Sequence, residues 1–104
     1  MAFKKIQKDV DGWIGQYKVG YFKPLEILAR LIEEVGETAR ELNHMFGPKK
    51  KKPTEDKADL EGELADVIYT VVCLANSQKI DLDHAWKKMM KKLNTRDKDR
   101  WEKK

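Results

Sequence analysis

A single cysteine, Cys73, excludes an intrachain disulfide and points to a reducing, cytoplasmic setting. The longest apolar run, Val67 to Ala75, is interrupted by Tyr69 and Thr70 and is far too short to span a bilayer. No apolar stretch precedes a cleavage site near the N-terminus, so no signal peptide is expected. Proline and glycine are sparse, three and six residues in 104, and no useful length of alternating apolar and polar residues occurs, which argues against strands. Histidine is scarce too, and His44 and His84 are not spaced as a metal pair.

Charge and helical periodicity are abundant. Charged residues make up 38% of the chain and hydrophobic residues 40%, the balance of a well-solvated helical protein. The formal charge of +4 suits an anionic partner but is too small to imply nucleic acid by itself. The length suits one domain, 1–104, and a domain this small often finishes burying itself by oligomerising.

Four helices are expected. The first runs from Phe3 to Tyr17, weakened at its end by Gly15 and Gly20. The second runs from Pro24, at a first helical position, to Met45 or Phe46, where Gly47–Pro48 stops it. Leu28, Leu31, Ile32, Val35, Ala39, Leu42 and Phe46 form its apolar stripe. The third runs from Thr54 or Glu55, with Thr54 as N-cap, to Gln78, and the fourth starts after the N-cap Asp81 and continues to Arg96 or beyond. Between the second and third lies a lysine-rich loop whose run Lys49 to Lys52 is solvated or steers anions. The fold class is therefore all-α, an antiparallel four-helix bundle-like domain completed by oligomerisation.

The acids carry the chemistry. Residues three or four apart share a helix face, so Glu34 neighbours Glu37, Glu33 neighbours Glu37, and Glu63 neighbours Asp66. Glu33, Glu34, Glu37 and Glu41 crowd little more than two turns, and Arg30 and Arg40 offset only part of that repulsion. Taken alone, such a run is usually a solvated face. The third helix alters the balance. Leu60, Leu64, Val67, Ile68, Val71, Val72, Leu74 and Ala75 spread round most of its circumference, which predicts burial. Asp66 lies against that run with Thr70 and Cys73 on its face, and a charged aspartate there needs a cation. A divalent ion shared with Glu34 and Glu37 answers both problems, since magnesium prefers carboxylate oxygens and keeps sites for phosphate.

The pattern Glu33-Glu34-x-x-Glu37 followed by Glu63-x-x-Asp66 resembles the EExxE…ExxD signature of MazG-like nucleotide pyrophosphohydrolases, in the all-α NTP pyrophosphatase superfamily. Ala29–Arg30–Leu31 before the first half and Val71–Val72–Cys73–Leu74–Ala75–Asn76 after the second extend the likeness, which covers about Trp13 to Trp101. The resemblance implies hydrolysis of the α–β anhydride of nucleoside triphosphates to a monophosphate and pyrophosphate, with Mg2+ as cofactor and Mn2+ as a substitute. It assigns Glu34, Glu37, Glu63 and Asp66 as metal ligands. Glu33 would activate or orient water, bind metal in part or support a ligand, and with Glu34 it makes up the catalytic pair. Nucleotide-pool house-cleaning is the implied role, in a cytoplasmic homodimer or homotetramer with no membrane association.

The substrate side is more open. Lys92, Arg96 and Arg100 form one stripe on the fourth helix that either meets phosphates or is simply solvated. Asn76 is a C-cap or a ligand to phosphate or ribose. Trp13, with Tyr17, Tyr21 and Phe22, packs in the core or stacks on a base. Trp86, Met89, Met90 and Leu93 read as core. The alternative is a non-catalytic helical module that binds nucleic acid or a protein through the basic fourth helix. Facing acids count against it, because without metal they repel phosphate.

Overall fold

The computed structural model describes residues 1–48 and 59–104. Among these described residues are four helices: α1 (Ala2–Ile14), α2 (Pro24–Phe46), α3 (Leu60–Ser77) and α4 (Leu82–Thr95). The all-α class and the helix count agree with the sequence reading, and no strand occurs among the described residues.

The helix ends follow local chemistry. Lys23 is extended, as a residue before proline should be, and Pro24 opens α2. Asp59 caps α3 by accepting from the Gly62 amide at 2.7 Å, and Asp81 caps α4 by accepting from the amides of Asp83 and His84. Thr54, the N-cap expected for the third helix, lies outside the described residues. The first helix stops at Ile14, three residues short of Tyr17. Beyond Gly15 the bonds Gln16 N–H to the Trp13 carbonyl and Tyr17 N–H to the Ile14 carbonyl are one residue tighter than a helix requires. Gly20, at φ +61°, then turns the chain toward α2 in a conformation that glycine adopts without penalty.

The α2 and α3 helices pack along their length. The seam on α2 is Ile27, Leu31, Glu34, Thr38 and Glu41, and on α3 it includes Glu63, Val67, Thr70 and Leu74. These positions alternate by three and four residues, the spacing of a left-handed helix pair. The expected α2 stripe is only partly this seam. Leu31 belongs to it, but Leu28, Ile32, Val35, Leu42 and Phe46 are exposed, as are Leu64, Ile68 and Val71 of α3. Core burial of Trp13 and Trp86 does not hold either. Both are about half exposed, Trp13 in edge contact with Tyr17 and Trp86 tilted against Phe3 at 5.5 Å. The radius of gyration of 17.3 Å exceeds the ~13 Å of a compact chain this long, and the extents of 50 × 47 × 23 Å describe a flat arrangement.

Side-chain hydrogen bonds hold α1 in place. Gln7 donates to Asn76 Oδ1 and to the Ile80 carbonyl, both at 2.8 Å, and accepts from the Leu82 amide at 3.0 Å. Asn76 donates back to the Gln7 carbonyl at 2.9 Å. Asp83 accepts from the Phe3 and Lys4 amides at 3.2 Å, so α4 caps a helix that lacks a side-chain cap of its own. Replacing Gln7 with Ala strips partners from Asn76 and two backbone groups. The Gln7→Ala variant should lose about 1–3 kcal/mol in urea unfolding; an unchanged midpoint would mean that α1 docks by apolar contact alone.

Candidate functional site

Backbone geometry places the acids. Glu34 projects from α2 into the seam, and Glu63 and Asp66 lie one turn apart on α3 facing it. One carboxylate oxygen from each of Glu34, Glu63 and Asp66 lies within 4.8 Å of the others. Glu34 and Glu63 are half-buried, whereas Asp66 is exposed. The desolvation argument for Asp66 therefore fails within one chain, because the adjoining face of Leu64, Ile68 and Val71 is open to solvent.

Electrostatics mark Glu63 as the centre of the cluster. Its carboxyl is raised above the ordinary glutamate range, first by desolvation and then by the charges of Asp66, Glu37, Glu34 and Glu41. Glu37 thus acts on the cluster through space, although it is not one of the three that converge. Glu33 is exposed, about 100° round the helix from Glu34. Glu41 is buried on the same face as Glu34, a position its seven-residue spacing signals. Arg30, one of the two arginines that offset part of the α2 repulsion, reaches Glu34 Oε1 at 3.9 Å.

The donor chemistry fits a hard cation. Three carboxylates and no nitrogen or sulfur suit magnesium, calcium or manganese. Antiparallel helices that each supply inward acids are a recurrent frame for such ions. Oxygens within 4.8 Å of one another are near enough that one ion could be shared among them.

The other sequence candidates lie elsewhere. Arg96 makes a two-pronged pair with Asp97, Nε to Oδ1 at 3.0 Å and Nη2 to Oδ2 at 3.2 Å. That pair holds the Asp97 carboxyl below its usual range. Arg100 reaches the same Asp97 at 3.8 Å and lies over the Trp101 ring at 5.6 Å. Lys92 is exposed on α4, which packs chiefly on α1 and not along the acid-bearing seam. Asn76 is not the C-cap of α3, a place taken by Gln78. Its amide bonds Gln7 and also donates to the Tyr21 hydroxyl at 2.9 Å. Tyr21 in turn donates to Asp11. Burial first, and then the Asp11 bond, push the Tyr21 phenol up to about 12.

Comparison with known proteins covers most of the chain. Residues 22–101 match the description "MazG nucleotide pyrophosphohydrolase domain". YpjD of Bacillus subtilis (strain 168) is 56% identical over 103 residues, 99% of this chain and 93% of that protein. The crystal structure of YPJD from Bacillus subtilis superposes with a TM-score of 0.80 at 54% identity, covering 89% of this chain and 95% of that one. The crystal structure of the Bacillus-conserved MazG protein, a nucleotide pyrophosphohydrolase, gives a TM-score of 0.78 at 49% identity, covering 93% and 94%.

Crowded acids cost stability when no cation is present. A carboxyl raised in the folded state favours the protonated form, so its contribution to stability is present at acid pH. That contribution is lost as pH rises through the raised value. Glu63→Gln should therefore melt higher than the parent at pH 7 in EDTA, and the order should reverse in saturating Mg2+. Equal melting temperatures in both buffers would mean that Glu63 neither repels its neighbours nor binds the ion.

Proposed function

The chain belongs to the MazG nucleotide pyrophosphohydrolase family, and from that premise we propose that Glu34, Glu63 and Asp66, joined by Glu37, hold Mg2+ against the phosphates of its nucleoside triphosphate substrate. The observation that carries this is the convergence of three carboxylates from two helices within 4.8 Å. The reaction is hydrolysis: the oxygen of water bonds to phosphorus, the α–β anhydride breaks, and pyrophosphate leaves the nucleoside monophosphate. A bound Mg2+, or Mn2+ in its place, supplies charge neutralisation and Lewis acidity at the phosphates. Glu34, half-buried on the seam, positions its carboxylate for the ion and for the proton of the attacking water. Glu33, exposed beside it, orients that water from the solvent side.

The basic residues need a route to the phosphates. Arg96 and Arg100 are held by Asp97 at the end of a helix that packs on α1. We assign them, with Lys92, to the phosphates of a site on a second copy of this chain, in a homodimer or homotetramer. The exposed apolar faces of α2 and α3 support this reading, since apolar area of that kind is normally covered. Trp13, half exposed, is then available to a nucleoside on the same copy or its neighbour. Asn76 contributes to substrate binding by fixing Tyr21. In this reading residues 1–104 form one cytoplasmic domain that clears unwanted nucleotides. No helix among the described residues is long and apolar enough to cross a membrane.

Incubation with nucleoside triphosphates and Mg2+, resolved by ion exchange, should yield monophosphate and pyrophosphate and nothing in EDTA. Glu34→Gln and Asp66→Asn should each lower kcat by about 100-fold or more, the scale of losing an electrostatic group at a transferring phosphoryl centre. Diphosphate with orthophosphate as products would place the cut at the wrong bond. Sedimentation at micromolar concentration should show a dimer or larger, and a clean monomer would remove the trans assignment. Mixing two inactive proteins, Asp66→Asn and Arg96→Ala, should restore partial activity if the arginine acts across subunits.

A further inference from the structure

A mostly apolar pocket of about 150 Å³ lies beside the acid cluster. Ile27 and Arg30 of α2, Thr70 and Cys73 of α3, and Tyr21 and Phe22 of the α1–α2 connection line it. On α2, Ile27, Arg30 and Glu34 share one face, and on α3, Asp66, Thr70 and Cys73 do. The pocket is therefore one to two turns from the carboxylates on both helices, about 5–10 Å along the axis. That is the kind of separation a ribose imposes between a base and its α-phosphate.

The pocket is built rather than adventitious. The Tyr21 ring forms one wall, and its hydroxyl is fixed by Asp11 and by the 2.9 Å bond from Asn76. Thr70 spends its hydroxyl proton on the Asp66 carbonyl at 2.9 Å, so it offers the pocket only an acceptor. Arg30 offers only donors, which suit the O2 carbonyl common to pyrimidine bases. A cavity of this volume takes one six-membered aromatic ring. A pyrimidine is one such ring, whereas a purine carries a second, fused ring.

We infer that this pocket receives the base of the substrate and selects pyrimidine over purine nucleoside triphosphates, an assignment that rests on the pyrophosphohydrolase reading of the adjoining acids. Discrimination then comes from the volume and lining of the pocket, not from the phosphates, which all substrates share.

The test uses the full chain with Mg2+ and two sets of substrates, dCTP, dUTP, dTTP, CTP and UTP against dATP, dGTP, ATP and GTP. Pyrimidines should show kcat/KM about 10- to 100-fold higher. Equal turnover of purines would overturn the pocket assignment and leave the pyrophosphohydrolase reading intact. Calorimetric binding of dCMP and dAMP in EDTA separates the two claims. Selective binding of dCMP by a protein that hydrolyses nothing would support the pocket and overturn only the activity, and equal binding of both would overturn the pocket. Cys73→Leu fills the cavity and should raise KM for dCTP about 10-fold with kcat nearly unchanged. Val19→Trp, at an exposed residue on the pocket's rim, tests the same point should the buried change fail to fold. An unchanged KM in a folded variant would count against the assignment.

Discussion

Repulsion among carboxylates at the α2–α3 seam is the constraint to which the remaining structure answers. Helices that pack along a seam usually fill it with apolar side chains, which release water on contact. Here Glu34, Glu41 and Glu63 occupy seam positions, and the charges of Asp66 and Glu37 add to the field at Glu63. The apolar members, Ile27, Leu31, Val67 and Leu74, flank the acids on the same faces. They must hold the helices close enough for the carboxylates to converge. Carboxylates crowded in this way cost stability when no cation lies among them, a common trade between stability and function.

The α1 helix is attached by a different physics. Beside the ring contact of Phe3 with Trp86, its attachment to α3 and α4 uses Gln7, Asn76, Asp83 and Tyr21, which pair backbone and side-chain polar groups at the far end of the hairpin. Hydrogen bonds of this kind contribute modestly to stability but strongly to position, because an unpaired group is costly. The same Tyr21 is a wall of the pocket beside the acids. Fixing α1 and shaping the pocket are thus two effects of one network. The tight turns after Ile14 and the left-handed Gly20 bring Tyr21 to that point.

Much of this was legible in the sequence. Pro24, Gly47 and Asp81 mark helix boundaries by strong local rules, and α2 and α4 run nearly as those residues imply. The pairing of Glu63 with Asp66 follows from helix geometry, and the resemblance to MazG-like enzymes set Glu34 opposite them. What was not legible is which apolar face meets which partner. Helical spacing shows that Leu28, Ile32 and Val35 share a side, but it does not distinguish the seam with α3 from a face left exposed on the chain. The exposure of Asp66 is hidden from the spacing for the same reason. The attachment of α1 was hidden as well, since Gln7 and Asn76 are 69 residues apart and neither type signals a long-range partner.

The acid seam also bears on where two of the described arginines sit. A lysine or arginine packed permanently among Glu34, Glu63 and Asp66 would neutralise the cluster and compete with any cation. Among the described residues, Arg30 reaches Glu34 on its own face at 3.9 Å, a loose pair with one partly exposed partner. Arg96 is instead held by Asp97 in close bidentate geometry away from the seam. A cluster of hard oxygen donors from two helices has the chemistry that suits a divalent ion.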